Sequence, residues 1–381
     1  MKIPFLDLEA VNRPHMAEIT EAVGRVIKSG RYIGGEETMR LEQRMSDLCR
    51  TRHAIGTSNG YDSLRLIFEG LKVTGRLRDG DSVIVPANTC IASALAVSNA
   101  GLKPVFIDPD PKTMCIDGNN VTKALSDFRG IKALLTVHLY GRTAWDKVME
   151  EACAANGITA VEDCAQSIGA LYTPDRPTGS LGTAAAFSFY PTKNVGAMGD
   201  AGCVTTSDTE LAAAIRSLAN YGSDRRNHNI HTGSNCRLDP VQAAVLNVKL
   251  RPGIFGAITE RRIMQATAYC RLINNPYITL PLLPAYHRQC VWHQFVIRTV
   301  HRDALRGHLS AHGIETDIHY PVPVHRQPCY ADKCRELRLP VSEELSGSIL
   351  SLPINDALET AGQQAIADAI NSWRPLTASR P

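Results

Sequence analysis

The first regular pattern of apolar and polar positions along the chain is helical. Between Thr38 and Leu48, the residues Leu41, Met45 and Leu48 recur at i, i+4 and i+7, which predicts an amphipathic helix. Residues 61–71 repeat the pattern, with Leu64, Phe68 and Leu71 on one face. The texture then changes to short apolar, β-branched runs bounded by Gly, Pro or polar residues: SVIVP at 82–86, KPVFID at 103–108, KALLTVHLYG at 132–141 and TAVEDCA at 159–165. Such runs suit strands covered on both faces, as in a mainly parallel sheet. Between the last two runs, Trp145, Val148, Met149, Ala152 and Cys153 share one helical face and Gly157 stops the helix, so that strand, helix and strand form one crossover unit. AAAFSFY (184–190) and GCVTT (202–206) read as further strands. Asp208 caps a helix reaching about Asn220, with Leu211, Ile215 and Leu218 inward.

After about Leu250 the pattern breaks. Prolines cluster at 276, 281 and 284 and again at 321, 323 and 328, around a strand-like WHQFVIRTV (292–300) and a helix-like 302–312. The expected organisation is therefore an α/β large domain over 1–250 and a smaller α+β domain over 251–381. The length of 381 residues agrees with two to three units at ~150 residues each.

Composition removes whole classes. With 44% hydrophobic and 21% charged residues the chain is ordinary globular protein. A net charge of +3, with no basic run, gives no footprint for nucleic acid, though it leaves room for a small anionic ligand. Eleven scattered cysteines without a C-x-x-C pair predict reduced thiols and a cytoplasmic protein, with neither a zinc framework nor disulfides. No run approaches the ~18 apolar residues that would span a membrane, and the N-terminus, with Asp7 and Glu9, does not resemble a secretory signal.

In an open parallel sheet, ligands bind beyond the carboxyl ends of the strands. Asp163 follows one strand, with Gln166 three residues on; Lys193 follows another; and Ser58-Asn59-Gly60 leads into a helix. A helix N-terminus suits a phosphate. A lysine forms a Schiff base with an aldehyde, and an acid keeps a pyridine nitrogen protonated. Together they describe a site for pyridoxal 5′-phosphate (PLP). Taken singly, Lys193 reads as a solvated surface lysine, Asp163 as a helix cap, and Ser58-Asn59-Gly60 as a turn. His138, on a strand-like run, reads as a structural residue.

SFYPTKNVGAMGDAG (188–202) resembles the lysine motif of the DegT/DnrJ/EryC1/StrS family of PLP-dependent sugar aminotransferases. The resemblance extends through IPFLDL (3–8), SGRYIGG (29–35), GTSNGYDSL (56–64), VPANT (85–89), HLYGR (138–142), EDCAQSIGA (162–170), NYGS (220–223), NCRLDPVQAA (235–244) and HYPVPVHRQPCY (319–330). It implies an aspartate-aminotransferase-type fold (PLP fold type I), with a seven-stranded, mainly parallel sheet, and a homodimer with active sites at the interface. Lys193 matches the Schiff-base lysine, Asp163 the partner of the pyridine nitrogen, and Gln166 the residue near the ring hydroxyl. Ser188 matches a phosphate-binding hydroxyl, aided by the Asn59-Gly60-Tyr61 backbone beside Ser58. Asn235 matches an asparagine that reaches the phosphate of the neighbouring subunit's cofactor. Lys193 stands where the related sugar dehydratases carry histidine. Two positions depart from the pattern: Cys90 replaces the usual aromatic that stacks on the cofactor, and Tyr61 stands where threonine is common.

Within the family, the closest likeness is to enzymes that aminate dTDP-linked 3-keto-6-deoxyhexoses at the expense of L-glutamate. In that group Tyr190, His319 and Tyr320 correspond to hexose contacts, and Arg225 or Arg226 approaches the substrate. The readings that stay open are amination at the 4-keto position, an inosose aminotransferase and a non-catalytic PLP-binding sensor.

Overall fold

In the computed structural model, which describes residues 2–375, the six apolar runs between residues 82 and 206 and a seventh strand just before Ser58 build one sheet. Its strands are β1 (His53–Thr57), β2 (Ser82–Pro86), β3 (Lys103–Ile107), β4 (Ile131–Val137), β5 (Thr159–Asp163), β6 (Ala184–Ser188) and β7 (Gly202–Thr206), in the spatial order β1-β7-β6-β5-β4-β2-β3. Only β7 is antiparallel, pairing with both β1 and β6; the other pairs are parallel.

Both faces are covered, which is why these strands read as continuous apolar runs rather than alternating ones. Val83, Val85, Leu135, Ala184 and Ala186 face the helices Gly60–Val73, Ile91–Asn99 and Thr209–Leu218. Their neighbours Ile84 and Leu134 face the helices Gly118–Asp127 and Lys147–Asn156, and Ala185 and Phe187 face Glu36–Cys49 and Pro240–Lys249. The period of two is intact; apolar residues simply occupy both phases.

Three sequence expectations are corrected in detail. The run 132–141 is a strand only to Val137; His138 then turns the chain, its ring bonded to Glu162 and to the Ala144 N–H, and Leu139–Gly141 is a single tight turn. The run 184–190 ends its pairing at Ser188, opposite Gly202, before the turn that contains Pro191. In the helix Lys147–Asn156, Val148 faces outward at 45% exposure. Asp146 caps this helix, so Trp145 precedes it and the buried stripe runs through Met149 and Cys153.

The C-terminal part pairs Phe295–Arg298 antiparallel with Ile349–Leu352 beneath the helices Pro252–Leu272, Arg302–Ala311 and Thr360–Ser372. The expected strand over 292–300 is thus four residues long. Ile3, from the other end of the chain, bridges Ile314 and joins this core. Among the described residues no helix is long and apolar enough to cross a membrane.

Candidate active site

The ends of β5 and β6 deliver the two candidate groups, Asp163 and Lys193. Asp163, the last residue of β5, is 6% exposed. Its carboxylate accepts hydrogen bonds from the Ser93 hydroxyl at 2.7 Å and the Ala165 N–H at 3.1 Å, which leaves lone pairs for one further donor. Lys193 lies in the turn after β6, where its N–H bonds the Tyr190 carbonyl at 2.8 Å. Burial holds its amine below the ordinary lysine range, against the opposing influence of Cys90 and Asp163 close by.

Beside them begins the helix Gly60–Val73. Asn59 caps it by accepting the Asp62 N–H at 2.8 Å, while Ser58 and Asn59 donate to the Asp62 carboxylate at 2.6 and 2.9 Å. The first-turn N–H groups of Gly60 and Tyr61 have no intrahelical acceptor. The helix start packs close to Ser188 because Gly60 carries no side chain: a Cβ there would stand 2.6 Å from the Ser188 Cβ. Gly202 is required in the same way, since its Cβ would lie 2.4 Å from the Asn59 carbonyl. The Tyr61 hydroxyl is turned to the Asn99 side-chain amide at 2.6 Å. What Tyr61 offers an anion is therefore its backbone.

A third wall comes from distant segments. Gln166 accepts the Tyr140 N–H at 2.5 Å and donates to the Tyr320 hydroxyl at 3.3 Å. Tyr320 packs near Cys90 and Tyr140, and burial raises its phenol well above the usual value. His319 shares a hydrogen bond with the Ser351 hydroxyl at 2.8 Å; burial lowers its pKa, with Asp317 opposing and Lys193 adding to the effect. Lys193, Asp163, Cys90, Gln166, His319 and Tyr320 thus gather from four stretches of chain. Tyr190, 51% exposed, flanks the lysine turn.

The remaining candidates stand elsewhere in the single chain. Arg225 and Arg226 are exposed on a hairpin of β8 (Ser223–Arg225) and β9 (His228–Asn229), where they line a groove of about 770 Å³ with Arg216, Asn220 and His231. Asn235 is exposed as well. Four residues that sequence reading passed over belong to the site's support: Ser93, Tyr140, Asn194 and His293. Only Asn194, next to Lys193, had a positional signal. His138, Glu162 and Cys164 come close enough to suggest a metal trio, but Glu162 is filled by the N–H groups of Gly179, Leu181 and Gly182 at 2.8–2.9 Å and by the His138 ring. That cluster is structural.

The sequence matches the DegT/DnrJ/EryC1/StrS aminotransferase family over residues 15–371. It is 42% identical over 374 residues to the dTDP-3-amino-3,4,6-trideoxy-alpha-D-glucose transaminase of Streptomyces venezuelae, covering 98% of this chain and 96% of that protein. It is 39% identical over 371 residues to the dTDP-3-amino-3,6-dideoxy-alpha-D-galactopyranose transaminase of Aneurinibacillus thermoaerophilus, covering 97% and 99%. The crystal structure of S. venezuelae DesV in complex with a ketimine intermediate superposes with a TM-score of 0.91 at 42% identity, over 98% of each chain. A lysine and a carboxylate at the ends of two adjacent strands, with a helix N-terminus beside them, in a chain matched over this span, make this protein a member of the DegT/DnrJ/EryC1/StrS aminotransferase family, the PLP-dependent sugar aminotransferases.

Proposed function

We propose that this protein moves an amino group from L-glutamate to the 3-keto position of a dTDP-linked 6-deoxyhexose, in a ping-pong cycle. The observation that carries the chemistry is the convergence of the Lys193 amine, the Asp163 carboxylate and the open N-terminus of the helix Gly60–Val73 on one rim of the sheet. The amine acceptor is read from the two dTDP-sugar transaminases that the chain resembles along nearly its whole length.

The residues present fit PLP. The cradle left open by Gly60 and Gly202 sets backbone N–H groups beside the Ser188 hydroxyl, a donor set for a phosphate. Asp163 keeps acceptor capacity for a ring N–H. When bound, the cofactor supplies an aldehyde for the lysine and a pyridine ring that draws electrons from the adjoining carbon. Asp163, anchored by Ser93, holds the proton on the ring nitrogen. The Lys193 amine, biased toward its free-base form by burial, takes a proton from the donor's α-carbon and returns it to a neighbouring carbon. Gln166 orients the ring hydroxyl and, through Tyr320, links it to the sugar side. His319, Tyr320 and Tyr190 form the hexose wall. Arg225, Arg226 and Asn235, exposed on one chain, serve the site of a second copy in a homodimer: Asn235 at the phosphate, the arginines at the nucleotide diphosphate. The domain division at residue 250, with the site along the junction, and a cytoplasmic setting belong to the same proposal.

The test is the visible absorption of the purified protein with PLP. The expected result is a borohydride-reducible band that L-glutamate bleaches, that a dTDP-linked 3-keto-6-deoxyhexose restores, and that Lys193→Ala lacks. A band in Lys193→Ala would remove the lysine from its role. Recovery with a 4-keto sugar or a free inosose, but not with the 3-keto sugar, would replace the substrate and leave the chemistry standing.

A further inference from the structure

The turn that bears Lys193 has no regular secondary structure, so its geometry depends on side-chain anchors. Two are visible. From the helix Pro240–Lys249, the buried Lys249 ammonium donates to the Gly196 carbonyl at 2.6 Å. From the C-terminal part, His293 meets Asn194, the residue after Lys193, at 3.0 Å between Nδ1 and Oδ1. His293 and Asn194 are both buried, at 5% and 9% exposure.

The roles in the second contact can be worked out. The Asn194 Nδ2 donates to the Val291 carbonyl at 3.1 Å. A carbonyl only accepts, so the amide nitrogen faces Val291 and the amide oxygen faces the ring. The His293 Nδ1 therefore carries the hydrogen, and in the neutral ring Nε2 keeps its lone pair, with the Gln294 amide at 3.5 Å. The backbone of His293 is itself fixed, because the Arg262 guanidinium donates to the carbonyls of Trp292, His293 and Ile354 at 3.2–3.3 Å.

We propose that His293 is a positioning residue for Lys193: it anchors Asn194 from the C-terminal part and thereby fixes where the lysine amine stands. The proposal rests on the reading of Lys193 as the cofactor lysine. The surrounding charges agree with a neutral ring. Burial lowers the His293 pKa well below the ordinary value, and Lys193, Arg262 and His319, all cationic when protonated, add to it. Asp163 and Cys90, also near Lys193, act on its amine in the opposite sense to burial. A neutral, immobile imidazole keeps the lysine turn closed to water without adding a positive charge beside it. Loosening Asn194 admits water, and the Lys193 amine then moves back toward the ordinary lysine value.

The readout is the pH midpoint for the rate at which cofactor-free protein gains the visible band after PLP is added, since only the unprotonated amine reacts. His293→Phe and Asn194→Ala each move the midpoint upward by about half a pH unit or more, and the double variant moves it no further. His293→Asn, which keeps a donor at the same reach, leaves it in place. The proposal is overturned if Asn194→Ala, folded as judged by circular dichroism, keeps the wild-type midpoint, or if His293→Asn moves it as far as His293→Phe. Asn194→Ala decides the matter even where His293→Phe does not fold. Absence of any band in the wild type would refute the reading of the site instead, which is a separate result.

Discussion

Gly60 sets how closely the helix that carries the proposed anion site approaches β6. Its missing side chain brings the first-turn N–H groups alongside Ser188, where an added Cβ would be 2.6 Å from the serine Cβ. Gly60→Ala forces the two elements apart, at a cost of about 1–3 kcal/mol typical of an overpacked contact. PLP affinity should fall by about tenfold or more for ~1.4 kcal/mol lost at the site. Titration of the visible band measures this; Ser188→Gly in the same chain should relieve the steric clash and recover stability, but not PLP affinity, because it also removes the hydroxyl proposed for the phosphate. An unaltered affinity in Gly60→Ala would remove the helix N-terminus from the phosphate site. At this scale the sequence is most legible where function and local pattern coincide: Asp163, Lys193 and Gly60 sit next to strand or helix ends. Ser93, Tyr140 and His293 are illegible because their partners lie 70, 26 and 99 residues away in the chain. Only the folded chain brings them together.

Among the elements, one carboxylate organises two helices. Asp146 caps Lys147–Asn156 by accepting the Met149 N–H at 2.8 Å, and its other oxygen accepts the Gly118 N–H, the first of Gly118–Asp127, also at 2.8 Å. The cap and the second hydrogen bond each contribute about 1 kcal/mol, so Asp146→Ala should lower stability by about 2 kcal/mol, read as the shift in urea unfolding. Neither of its hydrogen bonds is to Lys193, Asp163 or the helix Gly60–Val73, so absorbance with PLP should stay as in the wild type. A loss below ~0.5 kcal/mol would mean that water replaces both caps. The same carboxylate explains the phase error at Val148. The apolar spacing through Trp145 and Val148 looked like one helical stripe, but the cap starts the helix after Trp145 and turns Val148 outward. The strands suffered no such error, because a run buried on both faces reads as apolar in either phase. Their ends were overextended at His138 and Phe189, where an apolar sequence continues through a turn that only side-chain hydrogen bonds define.

Over the whole molecule, the unusual quantity is buried thiol. Of eleven cysteines, only Cys329 is exposed and Cys90 and Cys270 are half-buried. Burial raises the thiols of Cys153, Cys270 and Cys290 to about 11 and of Cys115 to about 12, and it also raises Cys49, Cys164, Cys203, Cys236 and Cys334. An unfolded thiol titrates near ~8.5. Above that pH the unfolded chain sheds protons that the folded chain retains, so stability is full below about 8.5 and declines as pH rises toward the folded values. Each such thiol contributes about 1.4 kcal/mol per pH unit to the slope. Lys249 acts in reverse: its folded pKa is lowered to about 8 by burial, so the unfolded chain holds the extra proton above that pH and stability gains with pH. Lys193, lowered by burial in the same way, adds a second such proton, and two against nine leave the thiols in control. Urea unfolding under reducing conditions should therefore show a stability plateau up to about pH 8.5 and a steep, cooperative loss by pH 10–11. In the Lys249→Met variant the loss should be steeper still, because one opposing proton is gone. Thiol titration locates the same effect in the fold: native protein at pH 8 should react rapidly at Cys329 and leave the buried thiols untouched until unfolding. A stability curve flat from pH 8 to 10.5 would show that the unfolded chain keeps its thiols as shielded as the folded one does, and that burial of cysteine has no part in the alkaline limit of this protein.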